Sequence, residues 1–159
     1  MGIGGPKDKK QVAAAALFFN KEGKVLIVKP NYKDNWLMPG GGVEEGESPI
    51  DGCVREIKEE LSLEFKRTDL KFFGIDYIHN GVTSSWGDAL RFLFFGGVLS
   101  DEQIAKIKIQ ESELEGMEFV DVSELPNKLS KHTARAVTAS IETYKKDRIV
   151  YLEDGQEVV

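Results

Sequence analysis

The segment "GGGVEEGESPIDGCVREIKEELSL", Gly40–Leu63, sets three consecutive glycines ahead of a stretch that crowds Glu56, Glu59 and Glu60 together. Ser48 followed by Pro49 supplies an N-cap hydroxyl and a first-turn proline, and Asp51 takes the third helical position, so the sequence predicts a helix running to about Leu61. At about 100° per residue, Ile50, Cys53, Val54, Ile57 and Leu61 fall in one arc, which is the face expected to be buried. Glu56, Glu59 and Glu60 share a second arc centred about 120° from the first.

That placement breaks two local rules. The like-charged neighbours Glu56 with Glu59 and Glu56 with Glu60 each cost about 0.2 to 0.5 kcal/mol in an isolated helix. Anions in the last turn also oppose the helix dipole, by about 0.3 to 1 kcal/mol each. Arg55 can pair with Glu59 four residues on, yet one cation does not balance three acids. Conflicts of this kind concentrate at functional sites. Taken alone, "EIKEE" is what a solvated helix face carries. The glycines change the reading, because Gly40, Gly41, Gly42 and Gly46 let bare backbone approach a ligand directly before the acidic helix. Backbone groups beside clustered carboxylates make a metal and phosphate site, and an oxygen-only donor set suits Mg²⁺ or Mn²⁺.

The remaining sequence narrows the class. The 159 residues, 41% of them hydrophobic, fit one domain, expected over residues 11–159 behind a flexible polar arm at residues 1–10. No apolar run approaches the roughly 18 residues of a membrane span, and "MGIGGPKDKK" lacks the apolar centre of a signal peptide, so the expected location is cytoplasmic. The single Cys53 allows no internal disulfide, and no Cys or His cluster has zinc-ligand spacing. A net charge of -6 argues against a broad basic surface for nonspecific nucleic-acid binding or for anionic membrane. A polyanionic ligand would need local positive charge or a bound metal to offset that repulsion.

The apolar runs "VAAAALFF" and "KVLIVKP" read as two strands around a turn at Asn20–Gly23. Trp36–Met38 forms a short apolar piece. "LKFFGIDYIH", "ALRFLFFGGVL", "AKIKI" and "MEFVDV" are expected to add strands to a mixed sheet, giving an α+β protein. In "KHTARAVTASIETYKK" the residues Ala134, Val137, Ile141 and Tyr144 recur at helical spacing. Asp154-Gly155 between two apolar runs predicts a C-terminal hairpin within 147–159, whose apolar surface could serve a homodimer.

Gly41, Glu47, Arg55, Glu56, Ile57, Glu59, Glu60 and Leu63 stand in the order glycine, five residues, glutamate, seven residues, Arg-Glu, aliphatic, any, Glu-Glu, any, any, aliphatic, with "WLMPGG" leading in. On these residues the sequence resembles the Nudix hydrolase family, of which MutT is a member. Ser62 departs, standing where the family has glycine; an αL residue is wanted there, so Ser62 is expected to cost stability or shift the helix exit, with activity surviving. The resemblance implies the Nudix fold, an α/β/α sandwich around a mixed β-sheet. It also implies a Mg²⁺-dependent pyrophosphohydrolase, with Mn²⁺ as the other candidate ion, cleaving a diphosphate linkage in a nucleoside diphosphate linked to X by metal-activated water. The partner is then a small nucleotide or diphosphate substrate.

Through the resemblance, Glu56 and Glu60 become the main metal ligands, Glu59 binds the same or a second ion, and the Gly41 carbonyl completes the shell. Arg55 holds Glu56 in place and Glu47 supports the loop. The general base is either a box glutamate or an acid of "QESELEGMEF"; of Glu111, Glu113 and Glu115, Glu113 is preferred. Gly40 and Gly41 are expected at the substrate. Arg91 is read either as a phosphate contact or as a strand-surface charge. Tyr32, Trp36, Tyr77 and Trp86 are stacking candidates as well as packing residues. His79 and His132 have no evident acid-base partner, and Cys53 reads as a buried small hydrophobe. Two other readings stay open: a silent nucleotide-binding module of the same fold, and an isoprenoid-diphosphate isomerase, which wants a protonating Cys or His constellation.

Overall fold

Strand β1 (Gln11–Phe19) is apolar almost throughout because helices cover both of its faces, as expected of a central strand. Ala15 and Leu17 belong to one core, while Ala14, Ala16 and Phe18 belong to the other. The alternation continues in β2 (Val25–Pro30), where Val25 and Ile27 face one way and Leu26 and Val28 the other. The computed structural model describes residues 9–82 and 87–159. The expected flexible arm lies outside the described residues up to residue 8, and Lys10 at its end is tied to Asp88 at 2.6 Å. Trp86 also lies outside them.

The mixed sheet runs in the order β6-β2-β1-β5-β4-β7-β8, where β4 is Lys71–Ile78, β5 Ala89–Val98, β6 Leu114–Val120, β7 Val150–Glu153 and β8 Gln156–Glu157. The pairs β1–β5 and β4–β7 are parallel and the other pairings are antiparallel. Helix α1 (Pro49–Leu61) buries Cys53, Ile57 and Leu61 against one face. On the opposite face α4 (Lys131–Lys145) buries Ala134, Ala136, Val137 and Ile141. This is the expected α/β/α sandwich. Asp154 and Gly155 join β7 to β8, both with positive φ, as a two-residue hairpin turn requires.

The short β3 (Gly40–Gly42) pairs with Ala13–Ala15 on the edge that β1 shares with β2. Small residues are obligatory here. A Cβ on Gly40 would stand 2.2 Å from the Ala14 carbonyl oxygen, and its φ of +144° is one that side chains rarely adopt. The main chain of the glycine segment is thereby pressed onto the sheet.

One expected strand is absent. Residues 105–109, "AKIKI", end helix α2 (Asp101–Lys106) and continue outside any strand, with the Lys108 N–H donating to the Leu61 carbonyl at 3.1 Å. Ser100 caps α2 by accepting from Gln103 N–H, and the Gln103 side chain accepts from Ser100 N–H. That capping box was the sequence signal, and it outweighs the period-two alternation of the isoleucines. Ile104, Ile107 and Ile109 pack under α1 without needing a strand partner. A four-residue helix α3 (Leu125–Lys128) precedes α4. Among the described residues no helix is long and apolar enough to cross a membrane.

The end of α1 also differs from the expected shift. Ser62 adopts the left-handed conformation, φ 58° and ψ 26°, and its N–H still reaches the Lys58 carbonyl at 2.9 Å. Its hydroxyl donates to the Lys108 carbonyl at 3.0 Å, which offsets part of the αL cost of about 1–2 kcal/mol. Ser62→Gly should therefore lie within about 1 kcal/mol of the wild type in urea denaturation, trading strain relief against the lost bond and added chain entropy. Ser62→Ala, which loses the bond and keeps the strain, should be destabilised by about 1 kcal/mol; an Ala variant as stable as wild type would show that the hydroxyl contributes nothing.

Candidate active site

Helix α1 delivers its acids at three depths. Glu59 is exposed, Glu56 is half-buried, and Glu60 is only 6% exposed, turned toward the glycine strand and away from bulk water. The sequence reading put all three on one polar surface, so the burial of Glu60 is a correction. It follows from Gly40, whose N–H donates to Glu60 Oε2 at 2.8 Å and draws the side chain under β3. Burial, reinforced by the charges of Glu56, Glu113 and Glu59 and opposed by the Gly40 N–H, pushes the Glu60 carboxyl up to about 8. Burial also raises Glu56, with Arg55 opposing and Glu59 and Glu113 adding to the rise.

Arg55 organises the rest. Its Nε and Nη2 donate to the two oxygens of Glu47, each at 3.0 Å, and Nη2 also donates to the Gly42 carbonyl at 2.8 Å. Nη1 reaches Glu56 at 2.7 Å and Glu59 at 3.0 Å. These bonds hold Glu47 below the ordinary carboxylate range, helped by the Glu44 N–H that donates to it at 3.0 Å. The loop before α1, the helix and β3 are thus tied through one planar donor. Gly41 must be bare because its Cβ would lie 2.5 Å from the Glu56 carboxyl.

Of the later acids, Glu113 shares this region, since its charge raises the proton affinity of Glu56, Glu60 and Tyr32. Glu115 is instead paired with Lys29 at 2.9 Å. The donors near Glu56 and Glu60 are all oxygens, the chemistry that suits a hard divalent cation. Among the described residues, however, no three His, Cys, Asp or Glu side chains gather at metal-ligand spacing. Glu56 and Glu59 point at Arg55, and Glu60 at Gly40.

Gly40–Gly42 also wall a cleft of about 300 Å³, with Tyr32 and Lys33 on one side, Ala13, Leu37, Met38 and Ile78 as apolar lining, and Arg91 and Thr133 at its inner end. Arg91 is not an open strand-surface charge. Its side chain is 13% exposed, and Nη2 donates to Asp76 at 2.8 Å. Asp76 also accepts from His132 Nε2 at 2.9 Å and from Gly155 N–H at 3.0 Å. Burial opposes its charged form, yet His132, Arg91 and the Gly155 N–H together hold it below its ordinary value.

Sequence reading missed this group and left His132 without a partner. A signal existed: an acid in "GIDYI" and a base in "ALRFL" each interrupt an apolar strand, and the two pair directly across β4 and β5. His79 is partnered too, by Asp154 at 2.8 Å. Among the stacking candidates Tyr32 lines the cleft; Trp36 packs on the core beneath Lys128, and the Tyr77 hydroxyl donates to Asp88. Cys53 is fully buried, as read, and burial pushes its thiol up to about 12.

Asp76→Asn removes the counter-charge of a largely buried guanidinium, and should destabilise the protein by roughly 3–5 kcal/mol in urea denaturation. Asp76 is depressed from 3.8 in the folded state, so its contribution is present above that pH and is lost as pH falls through the lower folded value. Stability profiles of wild type and Asp76→Asn should accordingly converge in acid; a constant gap down to the acid limit would contradict the ionised assignment.

The geometry agrees with independent comparisons. The family model of the NUDIX domain matches residues 9–140. An RNA pyrophosphohydrolase of Hydrogenovibrio crunogenus is 33% identical over 118 residues, covering 66% of this chain and 70% of that one. Nudix hydrolase 5 of Arabidopsis thaliana is 30% identical over 122 residues, covering 74% of this chain but 38% of the plant protein. A crystal structure of a UDP-X diphosphatase superposes with a TM-score of 0.71 at 22% identity, over 93% of this chain and 69% of the other, a likeness of fold. With a matching model over most of its length and the box residues assembled between β3 and α1, the chain belongs to the Nudix hydrolase family.

Proposed function

We propose that this protein hydrolyses a diphosphate linkage in a nucleoside diphosphate linked to X, with Mg²⁺, or alternatively Mn²⁺, as its cofactor. The observation that carries the reading is the Arg55 hub, which fixes Glu47, Glu56 and Glu59 against Gly42 beside a buried Glu60. Such a spread of proton affinities among neighbouring acids marks sites of chemistry. The relative named an RNA pyrophosphohydrolase lends the reaction class support, since its name describes cleavage of a pyrophosphate. The proposed location is the cytoplasm.

Glu56 and Glu60 would hold the ion, with Glu59 and the Gly41 carbonyl completing its shell. When bound, it would neutralise the diphosphate, polarise the phosphorus and make water a stronger nucleophile. The chain's own residues do the rest. Gly40 and Gly41 let the diphosphate approach bare backbone beside Glu56 and Glu60 of α1. Arg55 keeps Glu56 from swinging into solvent, and Glu47 keeps Arg55 in plane. Glu113 is the proposed general base, receiving the proton from the attacking water. Attack at one phosphorus breaks the bridging P–O bond and leaves two phosphate-bearing fragments.

A silent nucleotide-binding module is the second reading, and one observation favours it: the acids are neutralised by Arg55 and Gly40, and are not gathered as a ligand trio. Isoprenoid-diphosphate isomerisation has less support, because Cys53 is sealed in the core. Incubation with a mixed panel of nucleoside diphosphate derivatives and Mg²⁺ should give two phosphate-bearing products. Tight binding without products would select the silent module.

Glu60→Gln keeps the acceptor for Gly40 N–H, so it should fold normally and lose at least about a hundredfold in turnover at saturating Mg²⁺. A near-normal rate would remove Glu60 from the site. Gly41→Ala should fold too, because the group it strikes is the mobile end of Glu56. Displacing that carboxylate should lower kcat by roughly tenfold to a hundredfold in the same assay, and an unchanged rate would mean that Glu56 need not stay where Arg55 holds it.

A further inference from the structure

The cleft behind the glycine strand has a built recognition group at its inner end. In the sheet, Ala13 of β1, Arg91 of β5 and Asp76 of β4 stand in register across three neighbouring strands. Asp76, fully buried, is fixed from two further elements: His132 at the start of α4 and Gly155 in the β7–β8 turn. An ionised Asp76 only accepts, so His132 Nε2 carries the proton. Arg91 is therefore held from below in one orientation.

Arg91 retains unused donors. Among the described residues its one hydrogen bond is from Nη2 to Asp76, and its Nε is buried without a partner. Arg91 is among the residues that line the cleft, its side chain is 13% exposed, and Nη1 makes no hydrogen bond among the described residues. The cavity, about 300 Å³ with aliphatic walls, lies at the small end of ligand pockets and has room for one ring system. It shares Gly40 with the Glu60 site. A substrate whose diphosphate lies at Glu56 and Glu60 would place an attached ring here.

We propose that Arg91, positioned by Asp76, reads the O6 and N7 edge of a guanine in this cleft, so that guanine compounds are preferred over adenine, cytosine and uracil ones. This rests on the nucleotide-hydrolase reading above and adds a substrate class to it. Two physical points carry it. Guanidinium is donor-only, so its two-point partner is a pair of adjacent acceptors such as guanine O6 and N7; adenine sets an amino group beside N7, uracil an N3–H beside each carbonyl, and cytosine carries an amino group on the edge away from the sugar. Its charge is already balanced by a buried carboxylate 2.8 Å away, so a phosphate in this position would meet Asp76 as well as Arg91. A neutral acceptor fits that pair better than an anion does.

The test is titration calorimetry of the full chain with GMP, UMP, AMP and CMP, which needs no turnover. GMP should bind about tenfold or more tighter than AMP, CMP and UMP, the discrimination expected of one two-point contact. Arg91→Lys keeps a cation for Asp76 but loses the planar fork, and should bring the four ligands to within about threefold of each other by weakening GMP. Circular dichroism and the thermal transition check that this variant is folded. Equal affinities in the wild type, no binding of any of the four, or an Arg91→Lys variant that weakens all four alike would each overturn the assignment. Hydrolysis of the mixed panel separates the two readings. Turnover without base preference defeats base recognition alone, whereas base-selective binding without turnover defeats the hydrolase and leaves recognition standing.

Discussion

One guanidinium holds the site together. Arg55 spends its N–H donors on Glu47, Glu56, Glu59 and the Gly42 carbonyl, and by doing so fixes the loop, the helix and the glycine strand in a single geometry. Without that cation, Glu56 and Glu59 would repel each other at the end of a helix whose dipole already disfavours them. The arrangement explains why like charges can sit side by side on α1: part of their repulsion is offset internally. What remains is concentrated on Glu60, the most deeply buried of the set.

The sheet supplies what Arg55 cannot. The alanines of β1 and the bare backbone of β3 bring two main chains together at close range, and Gly40 turns its N–H onto Glu60. Because α1 and α4 cover opposite faces, the strand ends near Gly40, Ile78 and Ala89 are left to shape a cleft between layers. Acidic chemistry and a ring-sized cavity consequently meet at one wall. The overall negative charge of the chain is no obstacle to a phosphate ligand once a divalent ion is bound among those acids.

The second polar group, Asp76 with Arg91 and His132, follows a different logic. It is buried in the sheet, connects β4, β5, α4 and the C-terminal turn, and exchanges the flexibility of a long side chain for one fixed orientation. Buried charges of this kind survive only when each is paired and hydrogen-bonded. Here the pairing also leaves unused donors on Arg91, a residue that lines a cavity. The C-terminal hairpin thus does more than extend the sheet, since Gly155 supplies one of the bonds that orient Asp76.

Much of this could be read before any fold was known. The apolar run "VAAAALFF" before a turn and the helical spacing in "KHTARAVTASIETYKK" gave β1 and α4, while Ser48, Pro49 and Asp51 gave the start of α1, because caps and hydrophobic patterning are local properties of the chain. The spacing of Gly41, Glu47, Arg55, Glu56, Glu59 and Glu60 also pointed to the family and to the acids that share a helix. What the sequence could not settle were the quantities that depend on distant chain segments. The burial of Glu60 depends on a glycine twenty residues away, which the helix wheel does not contain. The partners of His132 and Arg91 come from an acid 56 residues from one and 15 from the other, so only sheet register joins them. Even "AKIKI" was decided by Ser100 and by packing under α1. Local chemistry fixed which residues carry charge and which elements form; long-range packing alone decided which charges lose water and which ones meet, because desolvation and pairing are properties of the assembled fold.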